Sequence, residues 1–377
     1  MEIKKILLKF IAGILDSHEE DVLEQWRNQH PSHEAYFQKL SSRNNYSELY
    51  AQYLKRESVR RRMIIRKCCM RVAACLIPLI LISGMAYFFY GQEQKSIIVP
   101  GSSRAELYLE NGSLLVLQDE KESAWICVND NQLVENKKGT LHYDRAKEES
   151  NDNVVRQNKL KTPRGGEYKV VLPDGTMVRL NANSTLTYPT RFSDDRRVVE
   201  LEGEAYFEIS KDSLRPFIVK ANGLEIRQYG TKFSVNARSP QATTVALEEG
   251  SIGVYPEGKE ELRMIRPGEI VRWCRPKNEL VVHSSQKELR ALTAWHHDRF
   301  VFENEPLSKV MEHISLWYDV EVRFQNAEIA TMRFTGNIGR YADIKVLLEA
   351  VETTGGICVK VENKQITLMS ETIINLY

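Results

Sequence analysis

The stretch Val72 to Tyr90 constrains this chain more than any other: it reads VAACLIPLILISGMAYFFY, nineteen residues without a charge. As a helix rising about 1.5 Å per residue it would extend roughly 28 Å, close to the hydrocarbon thickness of a bilayer. The expectation is one transmembrane helix over 72–90, with a buried helix of a soluble domain as the alternative. Arg60, Arg61, Arg62, Arg66, Lys67 and Arg71 crowd its N-terminal flank, whereas residues 91–96 offer only Glu93 and Lys95. The positive-inside rule then leaves the N-terminus in the cytoplasm and exports the C-terminal portion. A cleavable signal peptide fits poorly, because the stretch starts some seventy residues in and Met1 to Leu15 carries Lys4, Lys5 and Lys9 through its apolar pattern. Pro78 and Gly84 inside the stretch would weaken a helical ladder, either as the ordinary tolerance of membrane helices or as an aid to an intramembrane protease.

A chain of 377 residues exceeds one compact core, so two to three domains are expected. The formal net charge of +1 hides a split: residues 51–71 hold eight basic groups and one acid. That run reads as a juxtamembrane segment that orients the chain and touches anionic lipid rather than as a nucleic-acid site. Cys68, Cys69 and Cys75 lie at or in the apolar stretch, and Cys127, Cys274 and Cys358 are far apart with no metal-ligand spacing. His30 and His33, or the tandem His296 and His297, lack companion ligands nearby in sequence, so neither metal nor cofactor is expected. There is no nucleophile elbow, HExxH helix, phosphate loop or dinucleotide turn. Adjacent carboxylates such as Asp194 and Asp195, or Glu248 and Glu249, would point apart on a strand. An enzyme is therefore not expected, and a membrane-anchored glycan- or ligand-binding protein stands as the second reading.

The N-terminal seventy residues are helical in pattern. Ile3, Ile6, Leu7, Phe10, Ile11, Ile14 and Leu15 fall at three-and-four spacing on one face. Ser17 followed by Glu19, Glu20 and Asp21 supplies an N-cap and an acidic first turn for a second helix with Val22, Leu23 and Trp26 inward. A third helix starts near Ser32, with Tyr36, Phe37 and Leu40 inward. So few residues make a thin core, either self-sufficient or completed by a partner.

From about Lys161 to Val282 the period changes to two, with Tyr168, Val170 and Leu172 on one face, a Pro173-Asp174-Gly175-Thr176 turn, then Val178 and Leu180. The density of turns predicts an all-β sandwich or short solenoid. Residues 99–117 echo residues 162–180 at an offset of 63, superposing Pro100 on Pro163, Gly112 on Gly175 and Leu117 on Leu180. That echo predicts a second hairpin of the same make, with 118–160 as a polar connection or divergent strands. After Trp295, strand, helix, strand, strand, helix, strand and strand follow in order, a small α+β module. Its first helix runs from Pro306 to Tyr318, and its second runs from Asp343 to Thr354 and is capped by Gly355. The expected organisation is 1–71 helical, 72–90 transmembrane, 91–160 exported linker and divergent hairpins, 161–285 all-β, and 295–377 α+β.

Three groups of motifs carry a family resemblance. LLKFIAGILDSHEEDVLEQW with HPSHEAYFQKL resembles the N-terminal anti-sigma segment of the FecR-like regulators. TPRGGEYKVVLPDGTMVRLNANSTLTYPTRF, VVELEGEAYFEISKD, RPFIVKANGLEIRQYGTKFSVNA and VALEEGSIGV resemble the FecR signature over roughly 95 residues. FVFENEPLSKVMEHISLWYDVEV and FTGNIGRYADIKVLLEAV resemble the C-terminal domain of those regulators, which is similar to the secretin and TonB short N-terminal fold. The resemblance implies an anti-sigma factor in the inner membrane. Its cytoplasmic helices would sequester an extracytoplasmic-function sigma factor, and its periplasmic part would meet the signalling domain of a TonB-dependent outer-membrane transducer. Carried over residue by residue, Leu7, Leu8, Phe10, Ile11, Leu15, Leu23, Trp26 and Phe37 become sigma-factor contacts. Some family members cleave themselves at a Gly-Thr bond by an N-to-O acyl shift, and Gly230-Thr231 lies at that position, with a structural turn as the alternative.

Overall fold

A computed structural model describes residues 3–42, 97–119, 124–128, 132–143, 155–228, 230–256 and 262–370, together with six isolated positions between 52 and 85. The chain divides into two compact units, Met1–Gln94 and Lys95–Tyr377.

In the first unit three helices form, α1 (Ile3–Ile11), α2 (Ser17–Gln29) and α3 (Pro31–Ser41). The α2 N-cap is Asp16 rather than the expected Ser17. Its carboxylate accepts from the Glu19 N–H at 2.8 Å, and Glu19 reaches back to the Asp16 N–H at 3.5 Å. This capping box satisfies donors that a helix start otherwise leaves unpaired. Lys9 donates to Glu19 at 2.5 Å and so ties α1 to the same corner. Pro31 occupies the first turn of α3, where its missing N–H costs nothing. Among the described residues the core of this unit holds Ile6, Leu7, Leu23 and Phe37.

In the second unit, eighteen described strands between Ser102 and Ser284 join through hydrogen bonds into one continuous sheet system. The echo seen in the sequence is a pair of neighbouring hairpins. Ser102–Tyr108 pairs antiparallel with Leu114–Gln118, and Gly166–Val171 pairs antiparallel with Met177–Leu180. The two hairpins start side by side, Ser102 opposite Gly166 and Ser103 opposite Glu167, in parallel. Between them Ala124–Val128, Gln132–Lys137 and Thr140–Tyr143 form further strands, and Val134, Leu141 and Tyr143 join the same core as Val170 and Leu180.

The longest strand, Arg197–Glu208, belongs to two ladders. Its first part pairs with Thr185–Thr187 and Phe217–Lys220, and its second part pairs with Met177–Leu180 and Lys232–Ala237. Gly203 sits where the partners change, at φ 95°. A side chain there would meet the Ser184 Oγ at 2.6 Å and its Cα at 2.7 Å, so the strand crosses between ladders only over a residue without a Cβ. Arg197, at the start of this strand, is fully buried and anchors the Pro173-Asp174-Gly175-Thr176 turn. It donates to Asp174 Oδ2 at 2.7 Å, while Asp174 also accepts from the Thr176 N–H and hydroxyl at 2.9 and 2.7 Å.

After the sheets come α4 (Gln286–Thr293), a 3-10 turn (Ala294–His297) and strand Arg299–Pro306. Then follow α5 (Leu307–Tyr318), the short α6 (Ala327–Thr331), strand Arg333–Gly339 and α7 (Ile344–Gly355). Glu321–Phe324 pairs in parallel with Gln365–Ser370, which pairs antiparallel with Ile357–Glu362. Leu307, Val310, Met311, Ile314 and Trp317 of α5 and Ile344, Leu347, Leu348 and Val351 of α7 share one core. The cap after α7 is Gly356, at φ 58°, one residue past the Gly355 expected, and α5 starts at Leu307 with Pro306 as its cap.

The fold class expected from the sequence is corrected. The described chain is a small N-terminal helical piece, a large β region and C-terminal α+β elements. No helix among the described residues is long and apolar enough to cross a membrane. The longest of the numbered helices, α2 with 13 residues, spans about 20 Å against the roughly 30 Å a hydrocarbon core requires. Of the stretch 72–90 only Ser83 and Met85 are described, both helical; Val72, Pro78, Gly84 and Tyr90 lie outside the described residues.

Gly203→Ala should destabilise the protein by about 2–4 kcal/mol, combining left-handed strain with overpacking against Ser184. Gly112→Ala, at φ 83° with nothing within 4 Å, should cost only the strain, about 1–2 kcal/mol. Urea unfolding of the two full-length variants measures the difference.

Candidate functional site

The most heavily built polar site in the second unit lies where the α+β elements meet the sheets. Arg340, at the end of strand Arg333–Gly339, is 1% exposed. Its guanidinium lies 3.7 Å from the centre of the Trp317 ring and also faces Trp295. It donates to the Asn181 side-chain oxygen and to the Trp295 carbonyl, the latter at 3.3 Å, and stands 3.4 Å from Glu167. Burial pulls its pKa down to about 10, partly countered by Glu167, so it stays charged at neutral pH.

Glu167 is the counter-charge shared by three groups. Arg179 donates to its Oε1 at 2.6 Å, the Tyr341 hydroxyl donates to the same oxygen at 2.8 Å, and Arg340 faces Oε2. Burial and then Glu167 itself push the Tyr341 hydroxyl pKa upward, so the phenol remains a donor. Arg179 also reaches Asp298 at 2.6 Å and donates to the His296 carbonyl, gripping the C-terminal end of the turn that leads into the C-terminal elements. Each guanidinium offers several donors in a rigid fork, which suits sites where several acceptors converge.

A second joint lies at Pro163-Arg164-Gly165-Gly166. Arg164 donates to the carbonyls of Ser315 and Val320 at 2.7 and 2.8 Å and to Asp319 at 3.2 Å, while the Gly165 N–H donates to the Leu316 carbonyl at 2.7 Å. The loop thus adds donors at the end of α5, one of them to the Leu316 carbonyl, and sets positive charge at the negative end of the helix dipole. A Cβ on Gly101 would meet the Trp317 ring at 2.6–2.8 Å, so backbone lies directly on the indole there.

A third cluster joins Glu248 with the tandem His296 and His297. Tyr206 donates to Glu248 Oε2 at 2.6 Å and stacks on the His296 ring at 3.6 Å, and His296 Nε2 lies 3.6 Å from Glu248 Oε1. Burial alone would raise the Glu248 carboxyl, but the His296 imidazole and the Tyr206 hydroxyl hold it down at about 2.

The residues expected to touch a sigma factor differ in burial. Leu7, Leu23 and Phe37 are buried in the helical unit's own core, Leu8, Ile11, Leu15 and Trp26 are half-buried, and Phe10 is exposed. Among residues 3–42 the exposed large apolar side chains are Phe10, Ile14 and Tyr36, the last two 53% and 54% exposed. The helical period places Ile14 on the apolar face and Tyr36 inward, yet both are exposed because three short helices do not cover every apolar face. Gly230 adopts φ 148° and Thr231 is buried. The Thr231 hydroxyl and the Gly230 N–H both donate to the Gln228 side-chain oxygen, at 3.1 and 2.7 Å. An amide oxygen accepts a hydrogen bond but does not take up a proton at neutral pH, so this geometry supports a turn rather than an activated nucleophile.

Arg179, Arg340, Tyr341 and the Glu248 cluster had no signal in sequence spacing. Their partners lie on distant segments.

Two family models match the chain: FecR protein over residues 158–253 and FecR, C-terminal, over residues 299–368. No curated protein matches. Among solved structures, the 1.65 Å crystal structure of an anti-sigma factor candidate from Parabacteroides distasonis ATCC 8503 is 27% identical with a TM-score of 0.51, covering 56% of this chain and 98% of that one. A 2.50 Å crystal structure of an anti-sigma factor candidate from the same organism is 26% identical with a TM-score of 0.51, covering 57% and 99%.

Arg340→Ala should cost about 3–5 kcal/mol, because it removes the cation facing Glu167 Oε2, strips the Asn181 oxygen of a donor and opens a gap against Trp317. Denaturant unfolding followed by tryptophan fluorescence measures this, and Arg340→Lys should recover little of the loss. Wild-type protein and Thr231→Ala should each run as one full-length band on a denaturing gel; two wild-type fragments that merge in the variant would contradict the turn reading.

Proposed function

Because this chain carries both domains of the FecR-like anti-sigma factors, we propose that it holds an extracytoplasmic-function sigma factor on its N-terminal helices. It releases or activates that factor when residues 95–377 engage the signalling domain of a TonB-dependent outer-membrane transducer. The protein is a regulator and not an enzyme. In this reading the N-terminal unit works in the cytoplasm and the β unit in the periplasm.

The observation that supports sigma-factor binding is the incomplete burial of the helical unit. Ile6, Leu7, Leu23 and Phe37 hold the helices together, while Phe10, Ile14 and Tyr36 remain uncovered around them. Phe10 lies 4.7 Å from Phe37, ring centre to ring centre, so the outer surface is continuous with the core. Apolar side chains on a unit with so small a core mark a surface for a partner. Leu8, Ile11, Leu15 and Trp26 join that surface, and Leu7, Leu23 and Phe37 support it from below.

Capture of the tagged full-length chain from membranes tests the reading. Wild type should co-purify with a sigma factor, identified by mass spectrometry. The double variant Ile14→Asp and Tyr36→Asp changes exposed positions only and should recover at least ten-fold less. Recovery of a soluble glycan in place of a sigma factor would favour a ligand-binding protein, and equal recovery by both variants would remove this helical surface from the proposal.

A further inference from the structure

Glu248 ends a strand of the β region, Ala242–Glu249, while His296 and His297 close the 3-10 turn that leads into the C-terminal elements. Although far apart in sequence, they each bring one ligand atom into a group whose members lie within 4.8 Å of one another. We propose that Glu248, His296 and His297 form a binding site for a first-row transition metal, zinc(II) by donor type, that clamps this turn to the β region.

Three features of the geometry support it. First, the His296 side chain is 8% exposed, and its Nε2 has no hydrogen-bond partner, though it faces Glu248 Oε1 at 3.6 Å. A 3.6 Å contact satisfies a buried imidazole nitrogen poorly, and a metal ion between the two atoms would satisfy both. Second, tetrahedral zinc with bonds of about 2.0–2.1 Å separates its ligand atoms by roughly 3.3 Å. The His296–Glu248 pair is already near that spacing, and the His297 ring lies 3.8 Å from the His296 ring, centre to centre. Third, the ligands are braced from behind. Tyr206 donates to the other Glu248 oxygen at 2.6 Å and stacks on His296, while Arg179 donates to the His296 carbonyl and to Asp298. Such outer partners orient metal ligands and sharpen affinity.

Two imidazoles and one carboxylate make a borderline-soft donor set with room for a water or a fourth ligand. Imidazole favours zinc and its neighbours, whereas calcium and magnesium require oxygen cages. The site uses no cysteine and adds no catalytic chemistry to the proposed function. What it adds is a metal-dependent lock on a joint between β and α+β elements.

Zinc content after dialysis of the full-length protein in low-micromolar zinc(II), with thermal melting in zinc and in chelator, tests the proposal. Wild type should retain one more zinc equivalent than His297→Ala or Glu248→Gln, and zinc should raise its melting temperature. His297 is exposed, so its removal leaves the fold intact, and both variants should bind zinc at least ten-fold more weakly. His142→Ala, outside the cluster, should match wild type. Equal zinc content in wild type and His297→Ala, or a melting temperature indifferent to zinc, would overturn the site.

Discussion

The second unit depends on keeping the Arg340 guanidinium charged while almost wholly removed from water. That position is expensive unless acceptors and a counter-charge surround it. Asn181 and Glu167 come from the β region, the Trp295 carbonyl comes from the connecting turn, and the Trp317 indole comes from α5. No single element could bury the charge alone. The β and α+β elements therefore meet in one arrangement, because any other would strand a cation in an apolar interior. Apolar contact between the same surfaces would tolerate sliding; a fork of fixed donors does not.

The Pro163-Arg164-Gly165-Gly166 loop adds a second, independent constraint. It completes the end of α5 with one side chain and one backbone N–H, and Gly101 lets a further segment lie on Trp317. Helix end, loop and indole are satisfied together, so loosening one exposes the others. On the proposed function, a partner that engages either part of this unit acts on a body with polar locks at its internal joint. The Glu248, His296 and His297 cluster lies beside the same connector and gives that joint a chemical control besides packing.

Legibility in the sequence followed the distance over which each interaction acts. The hairpin around Pro173 to Thr176, the two hairpins at an offset of 63, and the inward faces of α5 and α7 were readable because period and turn chemistry lie within a few residues. Small displacements, such as Asp16 replacing Ser17 as a cap or Gly356 replacing Gly355, reflect competition between neighbouring residues able to do the same task. The short α6 was missed because five residues carry too little periodicity. Ile14 and Tyr36 are exposed for a different reason: the period identifies an apolar face but does not say whether anything covers it.

The amino-acid order by itself determined the alternation of strands, the turns that reverse them, the helices of the C-terminal elements and the motifs that resemble those of the FecR-like regulators. Only the folded chain decided which charges became internal. Arg340 meets Asn181 across 159 residues, and Arg164 reaches the end of α5 across a comparable span. It also decided that two histidines without companions in the sequence would face Glu248. Local patterns arise from backbone geometry and solvent exclusion over single turns. Pairings between distant segments exist only after both have been packed, and so leave no trace in spacing.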